Sequence, residues 1–99
     1  MMAKIDRVAL ALDTVVAASD DAVFRELDDQ SVLLNLATGI YFGLDAVGTH
    51  VWRLASENGS LRWISARLAD EYDAEPSAIE RDLLTLADAL VATGLWALR

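Results

Sequence analysis

The segment Ser31 to Leu44, reading SVLLNLATGIYFGL, constrains the fold more than any other part of the chain. Two short apolar runs, Ser31 to Leu36 and Ile40 to Leu44, flank Ala37-Thr38-Gly39. A three-residue loop ending in glycine suits a β-hairpin, because glycine supplies the positive φ such loops require. Pairing Leu36 with Ile40 then sets Leu34 opposite Phe42 and Val32 opposite Leu44. Side chains alternate along a strand, so all of these fall on one apolar face. The other face carries Asn35 opposite Tyr41 and Leu33 opposite Gly43. An apolar sheet face in water needs a cover, and the remaining sequence must provide it.

Upstream, Val23 to Leu27 reads as a further strand closed by the turn-forming Asp28-Asp29, and Thr14 to Val16 as an early β-branched patch. Downstream the apolar period changes from two to 3.6. Asp45 suits the N-cap of a helix to Glu57, with Val47, Val51, Leu54 and Ala55 on one face and Trp52 beside them. Asn58-Gly59 ends it, with Gly59 as a left-handed cap. Ser60 caps a second helix whose stripe is Leu61, Ile64, Leu68 and Tyr72. Pro76 fits the first turn of a third, where its missing N–H costs nothing. Ile79, Leu83, Leu86, Ala87 and Leu90 repeat along that helix until Gly94, and Leu95, Trp96 and Leu98 form a terminal strand or a tail. The expected architecture is α+β and winged helix-turn-helix-like: an N-terminal three-stranded antiparallel sheet followed by three helices, in one domain over residues 1–99.

Charge narrows the partners. The net charge of −8 comes from eight basic residues scattered among sixteen acidic ones, which opposes a phosphate-backbone ligand. No apolar run approaches the roughly 20 residues that span a bilayer. A hydrophobic fraction of 55% is nevertheless high for a small domain, and such domains often keep apolar surface for a partner. The absence of cysteine excludes disulfides, thiolate zinc sites and cysteine nucleophiles. Near the N-terminus, Lys4, Asp6 and Arg7 precede an apolar stretch that Asp13 interrupts, too short for a signal peptide, so a cytoplasmic location is expected.

No catalytic constellation emerges. His50 is the single histidine, on a flank of the first helix, and is expected to be solvated or partly packed. The carboxylate pairs Asp20-Asp21, Asp28-Asp29 and Asp70-Glu71 are sequence neighbours whose side chains diverge. Phosphate loops, nucleophile elbows and dinucleotide fingerprints are missing. The expectation is a non-enzymatic domain without a cofactor. Of the tryptophans, Trp52, Trp63 and Trp96, only Trp63 falls off its helix stripe; it is either packing or a contact anchor.

The run Leu33 to Trp52, LLNLATGIYFGLDAVGTHVW, resembles the PqqD family in Leu34, Gly39, Tyr41-Phe42, Leu44, Gly48 and Val51-Trp52. The resemblance continues through Tyr72, then Ile79, Asp82, Leu83, Leu86 and Leu90, to Gly94-Leu95, and covers about residues 22–98. It implies a recognition element that binds the leader of a ribosomally made precursor peptide and catalyses nothing itself. The run looks most like the stand-alone proteins of lasso-peptide pathways, whose implied partners are the precursor leader, a leader peptidase and a macrocyclase. The implied groove lies between the Ile40–Gly43 strand and the third helix. There Ile40, Tyr41, Phe42 and Gly43 would pair with the leader by β-strand addition, and Ile79, Asp82, Leu83 and Leu86 would line its path.

Three other readings stay open from sequence. A PqqD-type chaperone would serve a radical enzyme of quinone-cofactor synthesis. A winged-helix DNA-binding regulator needs a basic recognition helix, whereas the third helix offers Arg81 against Glu80, Asp82 and Asp88. A structural subunit would bridge two proteins without a peptide ligand.

Overall fold

Two hairpins in succession build the main sheet. The computed structural model describes residues 10–99, and the N-terminal run with Lys4, Asp6 and Arg7 lies outside them. Strands β2 (Ala22–Leu27), β3 (Gln30–Asn35) and β4 (Tyr41–Leu44) form an antiparallel sheet in that order. Helices α1 (Ala46–Glu57), α2 (Leu61–Glu71) and α3 (Pro76–Ala92) follow. A second, two-stranded sheet joins β1 (Val16–Ala18) to the terminal β5 (Trp96–Leu98). The fold is therefore α+β, antiparallel strands followed by three helices, compatible with a winged-helix description.

The register of the second hairpin differs from the sequence expectation by one residue. Leu33 faces Phe42 and Ser31 faces Leu44, while Val32 faces Gly43 and Leu34 faces Tyr41. A one-residue slip exchanges the two faces of a strand. Leu33 is consequently fully buried, whereas Val32 and Leu36 are exposed. The loop is the cause, because it holds four residues, Leu36 to Gly39, instead of three. Asn35 N–H donates to the Ile40 carbonyl at 2.9 Å, and Gly39 N–H donates to the Asn35 carbonyl at 2.7 Å. Gly39 keeps the expected positive φ, 76°.

The polar residues that this register buries are satisfied from elsewhere. Ser31 and Thr49 of α1 share a buried hydroxyl hydrogen bond of 2.8 Å. Asn35 Nδ2 donates to the Thr93 carbonyl beyond α3 at 2.9 Å, and its Oδ1 accepts from Ala37 N–H. Without such partners each would cost about 1–3 kcal/mol.

Helix α1 packs on β3 and β4 of the main sheet, α2 packs on α1 and α3, and α3 packs on β5. Asp45 caps α1 by accepting from Gly48 N–H at 2.8 Å, and Ser60 caps α2 through Trp63 N–H at 3.2 Å. Pro76 opens α3. Val51, Trp52, Leu54, Leu61, Ile64, Leu68, Leu83, Ala87 and Leu90 are buried, with Val16, Leu33, Leu44, Leu95 and Trp96 completing the core. Phe24, Trp52 and Trp96 stack in a column with centroid separations of 6.0 and 5.9 Å, joining β2, α1 and β5. Val47 and Tyr72 depart from their stripes and are exposed. Trp63 is half-buried, with the Arg67 guanidinium 5.5 Å from its ring centroid.

Gly59 is not the left-handed cap expected of it. Helix α1 ends at Asn58 in an extended conformation, and among the described glycines only Gly39 and Gly94 have positive φ. Glycine is required at 59 by proximity instead. A Cβ there would lie 1.8 Å from the Val16 carbonyl oxygen, and the Gly59 carbonyl accepts from Val16 N–H at 2.9 Å. The same N-terminal segment completes the start of α2, since Leu61 and Arg62 N–H donate to the Thr14 and Leu12 carbonyls.

Candidate functional site

Strand β4 ends the main sheet, so among the described residues one of its edges has no strand partner. The Asn35–Ile40 hydrogen bond sets the phase of the ladder. Ile40, Phe42 and Leu44 turn their backbone groups to β3, and Tyr41 and Gly43 turn theirs outward. A peptide laid along β4 would meet the N–H and C=O groups of Tyr41 and Gly43 at alternate positions.

That edge opens onto α3. Phe42 and Gly43 line a cavity of about 530 Å³ together with Leu44, Asp45, Asp82 and Leu86. Asp82 and Leu86 also line a second cavity of about 220 Å³, shared with Val51, Tyr72, Ile79 and Leu83. Val47, Asp82 and Leu86 border both cavities, which adjoin along a groove between β4, the start of α1 and α3. A volume of 220 Å³ lies below the roughly 300–1,000 Å³ of pockets for drug-sized ligands and suits a single large side chain.

Of the eight residues singled out from sequence, six line this groove: Phe42, Gly43, Ile79, Asp82, Leu83 and Leu86. Ile40 and Tyr41 line neither cavity. Tyr41 is 70% exposed on the outer face of the sheet, and Ile40 is exposed in the turn that enters β4. Leu83 is mostly core at 2% exposure and only its edge reaches the groove. Val47, Tyr72 and Asp45 were missed as lining residues. Their helical stripes or capping position gave each a sufficient structural role, and only the meeting of three elements exposes the second one.

Among the described residues the groove is lined by carboxylates and by no cation. Asp45 already accepts its capping hydrogen bond, and Asp82, exposed at the junction of the two cavities, lies 3.7 Å from Arg81 Nε. At the far end His50 hydrogen-bonds Glu71, and this bond, assisted by Arg67, holds the Glu71 carboxyl below its ordinary pKa. Among the described residues no group of three or more His, Cys, Asp or Glu converges as metal ligands would, and no helix is long and apolar enough to cross a membrane.

An open strand edge above an apolar groove is the geometry that β-strand addition uses in peptide-binding modules. The chain belongs to the PqqD family: residues 30–95 match the model described as coenzyme PQQ synthesis protein D. Two solved structures share its fold. TbiB1, in complex with the TbiA(beta) leader peptide, is 40% identical, with a TM-score of 0.76 over 80% of this chain and 92% of that one. A lasso peptide synthetase B1 complexed with the leader peptide has a TM-score of 0.75 at 22% identity, over 83% of this chain and 96% of that one. A search of the curated proteins finds no match.

Proposed function

We propose that this chain binds the leader segment of a ribosomally synthesised precursor peptide by adding it as a strand to β4. The observation that carries the reading is the outward-facing backbone of Tyr41 and Gly43 beside the groove under α3. The 40% identity to a protein solved with a leader peptide supports it. Backbone pairing supplies affinity without sequence choice, and the pockets supply specificity through the peptide's alternate side chains. In this reading Tyr41 and Gly43 pair with the leader backbone, and Ile40 and Phe42 flank it with side chains. Ile79, Leu83 and Leu86 receive an apolar anchor, and Asp82 meets a donor or cation of the leader. The domain contributes binding and no chemistry. It delivers the bound precursor to the leader peptidase and macrocyclase of a lasso-peptide pathway.

The family description favours one second reading, a chaperone of the same binding mode that serves coenzyme PQQ synthesis. Titration of fluorescein-labelled TbiA(beta) leader peptide, followed by anisotropy, tests the first choice. Saturable binding at about 10 μM or tighter is expected, and no binding up to about 1 mM contradicts it.

A further inference from the structure

His50 has a role that neither its sequence position nor the peptide-binding reading assigns. Its Nε2 meets Glu71 Oε1 across the α1–α2 gap, and Glu71 Oε2 accepts from Arg67 Nη2 at 3.2 Å. The next residue, Tyr72, presents its ring edge-on to the imidazole, with centroids 6.4 Å apart and planes at 63°. Tyr72 has left the helix: it is the C-cap of α2, in extended conformation at φ −116° and ψ 141°. Its backbone N–H is tied to the Leu68 carbonyl, but the residue is 38% exposed.

His50 and Glu71 do not themselves line the smaller cavity, but the elements on both sides of their contact do. Val47 and Val51, which flank His50 on α1, line it from one side, and Leu68 and Tyr72 of α2 line it from another. One imidazole therefore ties together two of its three walls; α3 forms the third. Binding sites work when their walls are held to within about 0.5 Å, and a side-chain-sized cavity is sensitive to such shifts.

We propose that His50 is a positioning residue for the peptide site: through Glu71 and Tyr72 it sets the width of the cavity between α1, α2 and α3, and thereby which apolar side chain of the bound peptide is accepted. The proposal rests on the peptide-binding reading above. A surface hydrogen-bonded pair of this exposure contributes little to global stability. The effect of removing it should therefore appear in binding and not in unfolding.

The test uses two probes of the full chain, xenon for the cavity and the TbiA(beta) leader peptide for the site. Xenon enters small apolar cavities without needing polar partners. In the wild type, dissolved xenon should shift the methyl NMR signals of Val47, Val51, Ile79, Leu83 and Leu86. In His50→Ala these shifts should largely disappear and leader affinity should fall roughly tenfold, the scale of an interface truncation. His50→Gln keeps a donor for Glu71 and should recover most of both, and all three proteins should unfold at similar temperatures. Wild-type xenon shifts and leader affinity in His50→Ala would overturn the proposal, as would loss of binding that His50→Gln does not rescue. If xenon binding depends on His50 while wild type does not bind the leader, the peptide reading fails and the positioning geometry stands.

Discussion

Leu33 of β3 lies directly opposite Phe42 of β4, and this pairing decides which residues the sheet offers to a partner. It places Phe42 toward the groove and turns the N–H groups of Tyr41 and Gly43 to the open edge. Two adjacent residues thus have opposite sensitivities to proline. Tyr41→Pro removes an edge donor that β3 does not use. It should leave the circular dichroism spectrum and melting temperature near wild type and abolish leader binding. Phe42→Pro removes a ladder hydrogen bond and should lower the melting temperature sharply. Unchanged leader affinity in folded Tyr41→Pro would reject edge pairing.

Ser31 and Thr49 form a buried pair whose value lies in its completeness. Thr49→Val leaves the Ser31 hydroxyl without its partner and should cost about 1–3 kcal/mol in urea denaturation. The double variant Ser31→Ala/Thr49→Val should lose much less than Thr49→Val plus Ser31→Ala, because neither group is then stranded. Additive losses would show that the two hydroxyls act independently.

Gly59 cannot acquire a Cβ without displacing the Val16 carbonyl. Gly59→Ala should destabilise by about 3 kcal/mol and lower the melting temperature by at least about 10 °C. A wild-type melting temperature would mean that β1 is not held against the α1–α2 turn.

Glu71 has its carboxyl pKa lowered below 4.5, first by the hydrogen bond from His50. A depressed carboxylate pKa contributes stability above its unfolded value, and that contribution fades as pH falls through the folded value. Wild type should accordingly be more stable than Glu71→Gln at neutral pH, with the difference vanishing once the pH drops below the lowered pKa. A difference that is independent of pH would show that Glu71 acts through packing and not through charge. The effect should be small, because the pair is solvent-screened.

Much of this architecture is legible in the sequence because its signals are local. Asp45, Ser60 and Pro76 mark helix starts through contacts within one turn, and the buried leucines of α2 and α3 repeat at helical spacing. The hairpin register is not local. Val32, Leu34 and Leu36 look like the core face only while Ser31 and Asn35 are considered without partners. Their partners, Thr49 and Thr93, are 18 and 58 residues away. The pairing of β1 with β5 and the close approach at Gly59 are long-range for the same reason. Of the groove, the α3 side is what the resemblance to the PqqD family implies on a helix whose apolar stripe is legible from its spacing, while Val47 and Tyr72 enter only because the start of α1 and the end of α2 meet beside it.

The central claim is that a leader peptide becomes a strand beside β4. Amide hydrogen exchange on the chain saturated with TbiA(beta) leader peptide reads this residue by residue. Tyr41 and Gly43 amides should exchange quickly in the free protein and slow by at least about tenfold on binding, while Leu33 and Phe42, already paired with each other, should be protected in both. Tyr41 and Gly43 amides that stay as fast in the saturated complex as in the free protein would contradict the account.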